Sequence, residues 1–128
     1  MMQINHVALW TVRLEELKEF YVTYFKGISN EKYTNPNKGF ESYFITFEGD
    51  SAALEIMRRQ DISSSSKETL TGLAHFSFSV GSEEKVKELT EYLRKEGITV
   101  ASEPRRTGDG FFESAILDPD GNLIEITI

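Results

Sequence analysis

The sequence predicts an α+β chain built from two copies of one strand–helix–strand module. Short alternating apolar segments are interleaved with two amphipathic stretches, and one spacing relates the first half of the chain to the second. His75 follows His6 by 69 residues, and the same offset relates Leu17 to Val86, Phe20 to Leu89 and Tyr24 to Leu93. Gly27 and Gly97 are 70 apart, as are Glu55 and Glu125. One offset, drifting by a single residue, thus aligns a strand, a helix face, a helix stop and a closing strand. Similarity between two amphipathic helices alone would not also align the histidines and glutamates.

The elements follow in order. Ile4, Val7, Leu9 and Trp10 mark a first strand around His6. Leu17, Phe20, Tyr21 and Tyr24 then fall on one face of a helix spanning 14–25, with Glu15, Glu16, Lys18 and Glu19 toward solvent. Gly27 is expected to stop it. A polar loop with Asn35, Pro36, Asn37 and Gly39 precedes two strands, 41–47 and 52–57, split by a turn at Gly49 and Asp50. Residues 58–72, with a serine run at 63–66, lack periodicity and predict a solvated connector. The order then repeats. A strand at 73–80 surrounds His75, and Ser82 caps a helix that carries Val86, Leu89 and Leu93 and ends near Gly97. A short strand is expected at 98–101, followed by a loop with Pro104, Gly108 and Gly110. Strands at 112–117 and 123–128 flank the turn Asp118-Pro119-Asp120-Gly121-Asn122. The domain reading is a single domain, 1–128, of two modules (about 1–58 and 73–128) joined by the polar connector.

Bulk properties narrow the function classes. With 39% hydrophobic residues, including nine Phe, five Tyr and one Trp, the 128-residue chain has the material for a packed core. A formal net charge of −7 disfavours nucleic acid as a partner and favours a small-molecule substrate. No apolar run approaches the roughly 20 residues of a membrane-spanning helix, and the N-terminus lacks a signal-peptide pattern. No membrane partner is therefore expected. The absence of cysteine excludes thiolate nucleophiles and cysteine metal sites, and it fits a cytoplasmic location.

Strand parity locates the chemistry. His75, Ser77 and Ser79 share one face of their strand, while Phe76, Phe78 and Val80 share the other, which must pack on the helices. By the same alternation Glu125 opposes Ile124 and Ile126, Glu55 opposes Leu54 and Ile56, and His6 opposes Val7 and Leu9. All four polar side chains therefore leave their strands on the face away from the helices. Taken singly, each is an ordinary hydrogen-bonded or solvated strand residue. Taken as a repeated pair of pairs, they call for a common partner, because converging carboxylates repel and buried charges need compensation. One divalent metal ion held by His6, Glu55, His75 and Glu125 meets that need, and the nitrogen and oxygen donors suit Zn, Ni, Co, Mn or Fe alike.

The order His6, Glu55, His75, Glu125 on paired modules resembles the vicinal oxygen chelate superfamily. That superfamily includes glyoxalase I, fosfomycin- and bleomycin-resistance proteins, extradiol dioxygenases and methylmalonyl-CoA epimerase. The similarity spans the chain and is carried by Ile4-Asn5-His6-Val7-Ala8-Leu9, Leu54-Glu55-Ile56, Leu73-Ala74-His75-Phe76 and Leu117-Asp118-Pro119-Asp120-Gly121-Asn122-Leu123-Ile124-Glu125. It implies two βαβββ modules forming an eight-stranded cup with helices outside and the metal within, in a protein that forms a homodimer. The full ligand set resembles a bacterial-type glyoxalase I, a lactoylglutathione lyase. The implied activity is a metal-dependent lyase or isomerase reaction on a small oxygenated substrate such as an α-oxoaldehyde–thiol hemithioacetal. Glu125 is the implied principal base and Glu55 its pseudo-symmetric partner. The alternatives are a metal-dependent dioxygenase or thiol transferase of the same superfamily, or a non-enzymatic drug-binding resistance protein.

Weaker features have two readings each. Arg58, Arg59, Arg105 and Arg106 are either binders of a substrate carboxylate or phosphate or plain surface charges. Trp10 shares the face of His6 and either lines a pocket or packs in the core. Gly108-Asp109-Gly110 is either a flap or a hairpin approach, and Asp118-Pro119-Asp120-Gly121 reads as a turn rather than a calcium loop.

Overall fold

Both amphipathic stretches form helices, and each packs on a sheet of its own. The computed structural model describes residues 1–49, 51–63 and 71–128, in two units, Met1–Ser66 and Lys67–Ile128. In the first unit the order is β1 (His6–Trp10), α1 (Leu14–Phe25), β2 (Ile28–Ser29), β3 (Tyr33–Asn35), a 3-10 turn (Pro36–Lys38), β4 (Phe40–Thr46) and β5 (Ala53–Arg59). The second unit runs β6 (His75–Ser79), α2 (Glu83–Lys95), β7 (Val100–Arg106), β8 (Phe112–Leu117) and β9 (Leu123–Thr127). The strand orders are β1-β5-β4-β2, with β3 also on β4, and β6-β9-β8-β7. In both sheets the histidine-bearing edge strand runs parallel to the glutamate-bearing strand, and the remaining pairs are antiparallel. The duplication read from a spacing of 69–70 residues is thus a duplication of topology: two βαβββ modules in an α+β fold.

Alternation decides what each sheet buries. In the first unit Leu14, Leu17, Phe20 and Tyr21 of α1 are buried, as are Tyr43, Ile45, Leu54 and Ile56. The Tyr43 hydroxyl donates to the Glu15 carboxylate of α1 at 2.5 Å, which fixes the odd-numbered face of β4 against the helix. In the second unit Val86, Thr90 and Leu93 of α2 are buried together with Ser114, Ile116, Ile124 and Ile126. The Thr90 and Ser114 hydroxyls share a hydrogen bond of 2.6 Å across that layer, so neither is an unpaired buried polar group.

Helix ends follow their local chemistry. Ser82 accepts the Lys85 backbone N–H at the start of α2, and the Glu83 and Glu84 carboxylates occupy its first turn. At the far end Gly97 is left-handed (φ 87°), with Ile98 N–H bonded back to the Leu93 carbonyl, as in a Schellman closure. Gly27 behaves differently from its expected role. The left-handed residue closing α1 is Lys26 (φ 57°), not Gly27. A Cβ on Gly27 would lie 2.4 Å from Ile45 Cγ2, so this glycine lets the chain pass close to β4.

Three other expectations are revised. The polar segment before β4 contains the short strand β3 and a 3-10 turn, too brief to leave a periodic signal. The expected strand at 98–101 is longer: β7 runs to Arg106 and takes Pro104 where its register with β8 shifts between Ser102 and Arg105, the kind of irregularity that accommodates proline. Arg58 and Arg59 belong to β5 rather than to the connector. The rest of that connector falls largely on residues 64–70, which, like the turn residue Asp50, lie outside the described residues. Between β7 and β8, Thr107 N–H bonds the Phe111 carbonyl and Gly110 N–H the Thr107 carbonyl, closing a hairpin. The Asp118 carboxylate accepts from the Asp120 and Asn122 N–H groups and from the Asn122 amide, and so builds the β8–β9 turn. Among the described residues no helix is long and apolar enough to cross a membrane.

Candidate metal centre

The two histidines and two glutamates occupy matching places in the two sheets. On β5, Leu54 and Ile56 are buried against α1 while Glu55 is half-buried on the opposite face. Ala8 is its register partner, so His6, two residues earlier on β1, shares that face. On β9, Ile124 and Ile126 face α2 and Glu125 points the other way. Its register partner is Ser77, two residues beyond His75. The same two-residue stagger brings imidazole and carboxylate together in both units. His6 Nε2 lies 3.7 Å from Glu55 Oε1, and His75 Nε2 lies 3.0 Å from Glu125 Oε1. Exposure matches as well: both histidine side chains are 39% accessible, and the glutamates 18% and 19%.

Around His6 the neighbours suit a ligand. Its Nδ1 is 2.8 Å from the Asn5 side-chain oxygen. An amide oxygen only accepts, so the contact suits the tautomer with its proton on Nδ1, in which Nε2, on the Glu55 side, carries the lone pair. Orientation of a histidine through its second nitrogen is the usual support for a metal ligand. Phe44, the register partner of Glu55 on β4, meets the His6 ring edge to face at 5.3 Å.

The second pair has a more polar setting. Ser77 Oγ donates to Glu125 Oε1 at 2.9 Å, so this one oxygen is addressed by both Ser77 and His75. Ala8 stands where Ser77 stands, and the first unit has no such donor at that place. Glu113 joins this face from β8, two residues before Ala115, the register partner of Glu125. Burial, and then the Glu125 carboxylate beside it, push the Glu113 carboxyl above its ordinary range. Within each unit the donors come as a pair, and no three His, Asp or Glu side chains gather at metal-binding spacing among the described residues of one unit. The donor chemistry fits a divalent cation that takes nitrogen and oxygen ligands.

The comparison with known families now bears on this arrangement. The family model described as the Glyoxalase/Bleomycin resistance protein/Dioxygenase superfamily matches residues 3–126. The chain belongs to this superfamily. Solved structures share its fold. A trypanothione-dependent glyoxalase I from Leishmania major is 22% identical with a TM-score of 0.80, over 99% of this chain and 86% of that one. A glyoxalase family protein from Enterococcus faecalis is 26% identical with a TM-score of 0.78, over 98% and 97%. A glyoxylase/bleomycin resistance protein/dioxygenase domain from Frankia sp. is 19% identical with a TM-score of 0.84, over 100% and 98%. No curated protein is significantly similar to the chain in sequence.

Other residues singled out in this glyoxalase-superfamily chain separate into two groups. Arg106 is engaged by Glu83 and by the Gly110 carbonyl, and Arg105 reaches the Glu113 carbonyl at 3.5 Å. Arg58 is paired in register with Glu41, on the helix side of β5. Arg59 and Trp10 instead lie on the face of His6 and Glu55. The sequence pattern gives no signal for the contacts that Asn5, Ser77 and Phe44 make. Parity alone flags Glu113, because Phe112, Ser114 and Ile116 claim the helix side of β8.

Proposed function

We propose that this chain is a divalent-metal-dependent lyase or isomerase of the glyoxalase type, acting on a small oxygenated substrate such as an α-oxoaldehyde–thiol hemithioacetal. The observation that carries the reading is the repetition of one His–Glu pair, in the same register and on the helix-free face, in both modules. In this reading the modules form one domain, an eight-stranded cup over residues 1–128, and His6, Glu55, His75 and Glu125 share a single metal ion. A homodimer in the cytoplasm completes the proposal.

When bound, the cation polarises two adjacent substrate oxygens as a Lewis acid. The remaining work belongs to the chain. Glu125 takes the carbon-bound proton and returns it to the neighbouring carbon, with Glu55 as its pseudo-symmetric partner. Ser77 supports that assignment: it holds Glu125 by one carboxylate oxygen, whereas Glu55 has Ala8 in the matching place. Asn5 holds the His6 ring in the tautomer that offers Nε2.

The test is an isomerase assay on the methylglyoxal–glutathione hemithioacetal after reconstitution with each candidate metal in turn. Turnover with at least one metal is expected, and Glu125→Gln should lose about 10²–10⁴-fold in rate while still binding metal. Full activity of metal-loaded Glu125→Gln would remove Glu125 from the base role. Oxygen consumption on catechols with iron, and no isomerase turnover, would favour the dioxygenase reading.

A further inference from the structure

The helix-free face of the first sheet holds a second set of chemistry beyond the His6–Glu55 pair. Trp10 lies four residues beyond His6 on β1, and Arg59 four residues beyond Glu55 on β5, so both share the parity of the pair. Phe40 is the register partner of Arg59, and Asn35 and Tyr33 on β3 pair with Phe40 and Ser42 of the same face. The side chains meet. The Arg59 guanidinium lies over the Trp10 ring, 4.8 Å from its centroid. Trp10 and Phe40 are edge to face at 6.3 Å, and Tyr33 and Phe40 at 6.1 Å.

This cluster is poorly explained as core. Trp10 is 45% exposed and Tyr33 54%, whereas α1 packs on the opposite side of the sheet. Exposed aromatic clusters on a soluble chain mark binding surfaces. The guanidinium adds a charge preference. Arg59 is engaged through Nε by the carboxylate of Asp61, an exposed neighbour. That contact shows a carboxylate seated on the guanidinium, and an exposed ion pair is worth little enough for a ligand carboxylate to replace it. Arg retains further N–H donors in a planar fork suited to carboxylates.

Spacing sets the length of what binds. Four residues of extended strand cover roughly 13 Å, with Ala8 and Met57 between the two groups. A three-carbon oxoaldehyde held at His6 and Glu55 does not reach Arg59. We infer that Trp10, Tyr33, Phe40 and Arg59 form a recognition subsite for an aromatic carboxylate at the far end of an elongated substrate whose oxygenated head lies at His6 and Glu55. The inference rests on the proposed function for the head of the substrate, but the subsite itself is built by the first unit alone.

Trp10 is the only tryptophan of the chain, so its fluorescence reads the subsite directly and needs neither turnover nor metal. The probe is biphenyl-4-carboxylate, titrated into the full chain, beside the neutral biphenyl-4-carboxamide and the non-aromatic cyclohexanecarboxylate. Saturable quenching by biphenyl-4-carboxylate is expected, at least tenfold tighter than either control. Arg59→Gln should weaken the aromatic acid about tenfold or more with the thermal melt of the free protein retained, each titration being referred to its own ligand-free fluorescence, and Arg59→Lys should recover only part of the loss. Equal affinity for the carboxamide, equal affinity for cyclohexanecarboxylate, or unchanged binding by Arg59→Gln would overturn the subsite. The same titration on His6→Ala separates the two readings. Quenching kept in that variant while the wild type binds no metal would sink the metal-dependent function and leave the aromatic-acid subsite standing.

Discussion

Asn5 determines what His6 offers, because its amide oxygen can only accept from Nδ1. Asn5→Ala is therefore expected to weaken metal affinity about 10-fold or more, in line with losses of other groups that orient metal-bound histidines. Competition against a chromophoric chelator measures it, and wild-type affinity in the variant would show that the contact does not matter. Tyr43 and Glu15 act on stability instead. The Tyr43 hydrogen bond holds the Glu15 carboxyl below its ordinary value, and Glu15 in turn pushes the Tyr43 hydroxyl up to about 12. A lowered carboxyl stabilises the fold above its unfolded value of 4.5, and that contribution is lost as pH falls through the folded value. A raised hydroxyl stabilises below its unfolded value of 10, and that contribution is lost as pH rises toward about 12. Tyr43→Phe should thus cost about 1 kcal/mol near neutral pH and show a flatter stability profile at both extremes in urea titrations. At this scale the faces of the four candidate ligands were legible because parity places them, whereas the contacts of Asn5 and Ser77 were not. Their partners depend on rotamers and on register between strands distant in sequence, which a linear reading does not contain.

The elements differ in how plainly the sequence announces them. Helices α1 and α2 were readable from one apolar face each, and α2 also from its Ser82 cap, since three- and four-residue spacings persist over three turns. β7 was under-read because Pro104 looks like a terminator. The register shift that absorbs it exists only in the pairing with β8. Strands β2 and β3 hold two and three residues, fewer than an alternation needs to show itself. Gly27 carries a similar lesson. Its place after a helix suggested a left-handed stop, yet Lys26 takes that conformation and Gly27 is small because Ile45 is close. Gly27→Ala should therefore destabilise by about 1–3 kcal/mol through overpacking. Gly97→Ala, with nothing within 4 Å of its Cβ, should lose only what a left-handed alanine costs, about 1–2 kcal/mol. Adding Ile45→Ala, which is itself destabilising, separates the two mechanisms in thermal melts: the cost of Gly27→Ala should shrink in that background and the cost of Gly97→Ala should stay the same. Equal additivity in both pairs would contradict the packing role of Gly27.

At the scale of the whole molecule, the recurrence of one spacing shows that the two modules are copies, and their matching sheet orders bear this out. Duplication places the two His–Glu contacts in equivalent register, so under the proposed function they supply two equivalent halves of one ligand set. It also explains what the sequence left unread. Around the matching pairs the two modules differ: Trp10, Phe44 and Arg59 share the face in the first, and Ser77 and Glu113 share it in the second. The most direct test of the proposed single centre is the metal stoichiometry of the purified chain by elemental analysis, in the wild type, His6→Ala and His75→Ala. One ion per chain, lost in either variant, is the predicted result. Two ions per chain, or one ion retained when either histidine is removed, would contradict a single centre built from both modules.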